Sequence, residues 1–261
     1  MSFFHAIILG VVEGFTEFLP ISSTAHLMLV SRILDISQTD FVKTFEVFIQ
    51  LGAITAVIFF FFSRLINDRF LWKKILIAFV PTAIVGFVLY KIIKSYLIGN
   101  TIIALWALLI GGLILIIVEK IVARKPTNND NSSIETISNT QAFCIGLIQS
   151  VAIIPGVSRS AATIVPMLLF GSNRKTATEF SFLLAIPTIA AASGYDLIHN
   201  FSVVDGQYGL LAVGFIVSFI AALLSIKFLI SHVQNHKFIS FGIYRVVLSL
   251  VFFALILNQL V

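Results

Sequence analysis

Charge is the scarcest thing in this sequence. Only 11 % of its 261 residues are Asp, Glu, Lys or Arg, against about 25 % in soluble domains, which excludes an ordinary water-soluble fold. Cysteine is nearly missing too: Cys144 stands alone, so neither an intramolecular disulfide nor a cysteine metal cluster is available. Short alternating strands are lacking, which argues against a membrane β-barrel. The first apolar stretch has no basic lead-in and is broken by Glu13 and Glu17, so no cleavable signal peptide is expected. The net charge of +5 is accounted for by basic loops on one side of a membrane, and nucleic acid is not implied.

What is present is apolar. Hydrophobic residues make up 59 % of the chain and the mean hydropathy is +1.05, which points to a polytopic helical membrane protein with no extra soluble domain. Six stretches are long enough to span at about 20 residues each: Phe45–Phe62, Ile75–Ile93, Ile102–Val118, Phe180–Ile198, Leu210–Ile230 and Phe241–Leu257. Two regions break that template, His5–Leu34 and Gln141–Gly171. Each is a short apolar segment, a proline with a serine-rich turn, and a second short segment. Such pairs read as re-entrant hairpins, whose irregular backbone is tolerated only inside protein or beside a wet cavity.

A polar linker, residues 124–140, divides the chain into repeat one (1–123) and repeat two (141–261), each a hairpin followed by three spans. "GVVEGFTEFLPISSTAHL" and "GLIQSVAIIPGVSRSAAT" share the order glycine, acid or amide, proline, serine cluster. "KTFEVFIQLGAI" and "TATEFSFLLAIP" align Glu46 with Glu179, where both acids are expected near helix N-termini. Three spans per repeat invert the second half. Walking the spans gathers Arg64, Arg69, Lys73, Lys74, Lys120, Arg124, Lys125, Arg174, Lys175, Lys227 and Lys237 on one side, and Arg32, Lys43, Lys91 and Lys94 on the other. The positive-inside rule makes the first side cytoplasmic and puts both termini outside. The expected fold is therefore all-α: six transmembrane helices and two re-entrant hairpins in an inverted-topology repeat, with one polar site shared near the midplane.

The hairpins carry the chemistry. Glu13 and Glu17, four apart, share a helix face, and each carboxylate costs roughly 2.5–3.5 kcal/mol near the bilayer centre. They are either protonated or water-facing and idle, or a pair that holds a divalent cation or moves protons; all-oxygen ligation suits Mg2+ or Ca2+. After Pro20, Ser22, Ser23 and Thr24 open a short helix with His26 one turn in. One hydroxyl satisfies a helix cap; three and a histidine exceed it, and a serine or histidine nucleophile becomes plausible. In the second hairpin, Pro155 and Gly156 precede Ser158, Arg159, Ser160 and Thr163. A helix N-terminus, a guanidinium fork and three hydroxyls form a phosphate cradle, unless Arg159 merely neutralises Glu13 or Glu17. His5, His199, His232 and His236 fall near helix ends, and Arg245 inside the last span either snorkels or pairs internally.

"EGFTEFLPISSTAH" and "PGVSRSAATI", trailed by "TFEVFIQLGAI" and "EFSFLLAIP", resemble the undecaprenyl-diphosphate phosphatase family of bacterial inner membranes, the bacitracin-resistance type. The resemblance covers nearly the whole chain. It implies hydrolysis of a C55 polyprenyl diphosphate to its monophosphate, recycling the carrier lipid for cell-wall synthesis. A divalent cation and an active site opening to the periplasmic side are implied as well. The family's acidic motif falls on Glu13 and Glu17, its serine–histidine element on Ser22, Ser23, Thr24 and His26, and its arginine motif on Ser158, Arg159, Ser160 and Thr163. One departure is Ala25, where glycine is common. The expected partners are the polyprenyl lipid, membrane lipids and, in a homodimer, a second copy. The expected roles are catalysis by Glu13, Glu17, Ser23, His26 and Arg159, with phosphate held by Ser22, Thr24, Ser158, Arg159, Ser160 and Thr163. Ser23, His26 or a metal-activated water is the nucleophile. The rival class is a polyprenyl-phosphate flippase or anion transporter built on the same repeat.

Overall fold

The structure is a computed structural model describing residues 1–92, 100–124, 133–204 and 206–258. In chain order the helices are α1 (Phe3–Thr16), α2 (Ser23–Ile33), α3 (Asp40–Phe60), α4 (Phe62–Asn67), α5 (Arg69–Ile92), α6 (Thr101–Val122), α7 (Asn139–Gln149), α8 (Arg159–Leu169), α9 (Arg174–Asn200), α10 (Tyr208–Asn235) and α11 (Ile239–Leu257). No strand occurs among the described residues. α3, α5, α6, α9, α10 and α11 are long and apolar enough to cross a membrane, and large apolar side chains such as Phe59, Phe87, Ile117 and Leu224 stay exposed. That is the surface of a multi-pass membrane protein, whose outer face meets hydrocarbon.

A serine opens each half in the same way. Ser2 Oγ accepts from the His5 N–H at 3.2 Å, and the Ser2 N–H bonds back to His5 Nδ1 at 3.5 Å. Ser138 does likewise with Gln141, at 3.0 and 2.9 Å. These reciprocal boxes satisfy N–H groups that a helix start leaves unpaired. From them run α1 and α7, both too short to span. Each ends in an irregular turn, and each turn leads into an 11-residue helix, α2 or α8. The two turns end on serines with nearly the same backbone: Ser22 at φ 71, Ser158 at φ 72. Non-glycine residues seldom adopt this left-handed region, so its recurrence at matched positions is a structural signature.

Packing is reciprocal. α1 lies along α10, which also packs on α3; α7 lies along α5, which also packs on α9. α3 crosses α9, and α6 pairs with α11. The short helices approach their partners without intervening side chains: a Cβ at Gly14 would lie 2.4 Å from Ser218 O, and one at Gly146 1.8 Å from Ala78 O. Small residues are how helices pack closely where no hydrophobic force drives them together. Phe18, in the first turn, is fully buried with its ring 5.1 Å from that of Phe182 on α9. The first turn is therefore anchored in the core.

Three spans begin earlier than hydropathy suggests: α5 starts at Arg69, where Asp68 Oδ1 accepts from Leu71 N–H at 2.9 Å, and α3 and α9 start early in the same way. Thr39 Oγ1 accepts from Val42 N–H at 3.3 Å, and Asn173 Oδ1 from Thr176 N–H at 2.8 Å. These polar caps start α3 and α9 before the apolar windows. Glu46 and Glu179, expected near helix N-termini, lie further inside. Lys94, Lys125 and residues 125–132 of the linker fall outside the described residues.

Ion pairs tie the helix ends away from the turns. Arg64 bonds Glu179 at 2.7 Å and Glu135 at 3.3 Å. Arg174 grips the fully buried Glu119 with two bonds of 2.8 and 2.7 Å, and Glu119 also accepts from the Phe238 N–H at 3.0 Å, closing the start of α11. Removing Arg174 strands the buried charge of Glu119, so Arg174→Ala should destabilise the fold by about 3 kcal/mol. Thermal unfolding in detergent reads this; an unchanged midpoint would mean that the pair holds nothing.

Candidate active site between the two turns

The end of α1, the first turn and the start of α2 bring Glu13, Glu17, Ser22, Ser23 and His26 together, all buried. From the other side α8 delivers Arg159. Glu17 is the meeting point. Its Oε2 accepts from Ser23 Oγ at 2.5 Å, and its Oε1 from Arg159 Nη2 at 2.8 Å. One carboxylate thus joins a hydroxyl of the first hairpin to a guanidinium of the second. Arg159 Nη1 donates to Ser181 O on α9 at 2.8 Å, its carbon lies 5.9 Å from the Phe18 ring centre, and its Nε is buried without a partner. The fork is held from behind with one donor left over.

Glu13 is different. It is fully buried, and neither carboxylate oxygen has a hydrogen-bond partner; its charged neighbours are Glu17, Glu46 and Arg159. The matched amide of the second half, Gln149, is satisfied: it donates to Thr82 Oγ1 at 2.9 Å and accepts from Thr163 Oγ1 at 3.0 Å. A buried carboxyl with nothing to bond demands a proton or a cation. Among the described residues, no group of three or more His, Cys, Asp or Glu side chains is gathered for a metal. The orphan oxygens of Glu13 fit a divalent cation that takes one or two carboxylates and fills its remaining positions with substrate oxygens and water, the habit of magnesium. Glu17, engaged at both oxygens, fits such an ion less well.

His26 hydrogen-bonds neither Ser23 nor Glu17. Its Nδ1 meets Ser22 O at 2.7 Å, and its Nε2 meets Tyr244 Oη on α11 at 2.8 Å. A carbonyl only accepts, so Nδ1 carries the proton and, in the neutral ring, Nε2 accepts from the tyrosine. Both ring nitrogens are engaged.

The remaining hydroxyls divide. Ser158 Oγ caps α8 by accepting from Ala161 N–H at 3.2 Å. Ser160 and Thr163, expected to touch phosphate, are fully buried. Ser160 Oγ donates to Phe18 O at 2.9 Å, which ties α8 to the first turn, and Thr163 Oγ1 is engaged with Gln149 and with Arg159 O. Thr24 is exposed at the start of α2. Three participants carried no role in the sequence reading: Ser181, Tyr244 and Phe18. The only hint of another, Arg245, was a charge inside an apolar span.

The arrangement offers a hydroxyl with a carboxylate to take its proton, a guanidinium beside it, and two helix N-termini whose first N–H groups attract anions. Comparison with known proteins fits this chemistry. Residues 6–251 match the family described as bacitracin resistance protein BacA. A protein of Aquifex aeolicus named undecaprenyl-diphosphatase is 48 % identical over 98 % of this chain and 100 % of its own length. One of the same name from a Sulfurihydrogenibium species is 52 % identical over 97 % of this chain and 99 % of its own. A third, from Wolinella succinogenes, is 46 % identical over 97 % of each.

Proposed function

Because the chain belongs to the bacitracin resistance protein BacA family, we propose that it hydrolyses undecaprenyl diphosphate to undecaprenyl phosphate and inorganic phosphate. This returns the lipid carrier to cell-wall synthesis and confers bacitracin resistance. The observation that carries the reading is the Ser23–Glu17–Arg159 chain, a positioned nucleophile, base and phosphate clamp in contact.

The isoprenoid tail lies along apolar spans and the diphosphate enters between the turns. Ser23 Oγ attacks the terminal phosphorus while its proton passes to Glu17. The bond to the bridging oxygen breaks, and that oxygen leaves with the electron pair and takes the proton from Glu17. Water then cleaves the phosphoserine, which releases phosphate and restores Ser23. Arg159 and the first N–H groups of α2 and α8 hold the phosphoryl oxygens as charge builds. A divalent cation, Mg2+ or Ca2+, held mainly at Glu13, supplies further neutralisation of phosphate charge when bound. His26, oriented by Tyr244, supports the N-terminal turn of α2.

The site faces the periplasmic side with both termini outside, a reading supported by the basic residues on the α4 side of the bundle. The recurring serine turns and reciprocal packing support the inverted repeat. A flippase would need a site that opens to either face, and the hydroxyl–carboxylate contact favours hydrolysis. The test is phosphate release from a long-chain polyprenyl diphosphate by purified protein in detergent, with magnesium, with calcium and with a chelator. Metal-dependent release is expected; no release from folded protein under any metal would move the assignment to a carrier.

A further inference from the structure

Among the described residues Arg245 has the largest fully buried side chain, and its guanidinium bonds only backbone carbonyls. On α6, Nε donates to Leu108 O at 3.2 Å and Nη2 to Ala107 O at 3.1 Å. Nη1 reaches Pro20 O in the first turn at 3.1 Å. Nη2 reaches Gly156 O at 3.0 Å and Val157 O at 3.1 Å in the second. Pro20 and Gly156 occupy the same place in their turns, each two residues before the left-handed serine. A single planar cation therefore holds the matching carbonyls of both hairpins and fastens them to the α6–α11 pair.

The slot for it is cut into α6. A Cβ on Gly111 would lie 2.1 Å from Arg245 Nη2, so any side chain there would push the fork off the carbonyls. The grip also sets peptide orientation. The chain has no cis peptide bonds among the described residues, and in a trans unit the N–H points opposite the preceding carbonyl. With Val157 O turned toward Arg245, the Ser158 N–H is turned away from it, next to the first N–H groups of α8.

Resting on the phosphatase reading above, we infer that Arg245 is a positioning residue for the reaction: by holding both turns at once, it sets the separation of Ser23 and Glu17 from Arg159. Lysine cannot replace it, because one ammonium lacks the fork that reaches two turns and a helix together. Misplacing reacting groups by about 1 Å costs on the order of 100-fold in rate.

The experiment uses the full chain with Cys144→Ser and spin labels at the exposed positions Phe15→Cys and Val151→Cys, one beside each turn. Arg245→Lys and Gly111→Ala are compared with the labelled parent. Gly111→Ala keeps the arginine and favours helix, so it tests the grip even where Arg245→Lys folds poorly. Both changes are expected to broaden the label-to-label distance distribution and to lower kcat about 100-fold, with KM within about 3-fold of the parent. A residue that merely stabilised the fold would lower the unfolding midpoint and leave kcat and the distance in the folded fraction unchanged. That result overturns the inference, as does a loss of kcat with an unbroadened distance. A parent that releases no phosphate would refute the phosphatase reading, while the distance comparison still decides whether Arg245 sets the turns.

Discussion

Arg159→Ala is expected to lower phosphate release about 10³-fold, the scale on which a positioned arginine serves phosphoryl transfer. Two effects must be separated, because Arg159 also neutralises Glu17, whose side chain is 7 % exposed against 11 % for the arginine. Taking the cation away strands a carboxylate, and this destabilises the protein whatever Arg159 does in catalysis. Arg159→Lys separates the two, because it leaves a cation beside Glu17. Its unfolding midpoint should stay near wild type while its turnover falls well below it, since an ammonium keeps the charge but cannot bond Ser181 O and a phosphate oxygen as a fork does. If turnover stayed at the wild-type level along with stability, Arg159 would be a structural counter-ion and the phosphate clamp would have to be sought elsewhere.

Ser23→Ala and Glu17→Gln form the second large pair. Each should reduce kcat by about 10³-fold or more, and the double variant should be no worse than the weaker single, because nucleophile and base act as one unit. Multiplicative losses would show the two working independently, for instance through a water activated elsewhere. His26→Gln offers the contrast. With Nδ1 on Ser22 O and Nε2 on Tyr244, the ring takes no proton from Ser23, so this change should cost far less than either.

Much of this was legible in the chain before any coordinates. Six spans follow from hydropathy, and the broken helices follow from prolines set among serines within apolar runs. The meeting of Glu17, Ser23 and Arg159 follows from the two hairpin motifs. Other features left no local trace. Spacing shows that Ser160 and Thr163 lie near Arg159, but not that their face of α8 packs on Phe18 O and Gln149. Tyr244 reaches His26 across most of the chain, and one sequence carries no record of so distant a contact. The starts of α3, α5 and α9 were misplaced because Thr39, Asp68 and Asn173 act through side-chain bonds to the backbone, which an apolar window does not register. Arg245 was visible as an oddity, but its five carbonyl partners exist only once both turns are folded around it.

The twin left-handed serines bear on how such a site diversifies. The same bend of main chain is used twice, and the residue that follows it is Ser23 in one copy and Arg159 in the other. Shape is common to both turns, while reactivity is assigned at one position in each. Opposite chemical duties can thus be traded or altered by replacing a side chain, with no redesign of the scaffold that aims it. The carboxyl at Glu13 and the amide at Gln149 repeat the pattern one helix earlier: a tightly bonded group in one copy, an open valence in the other. The two turns thus agree in the backbone angle at Ser22 and Ser158 and differ in what the next residue can do.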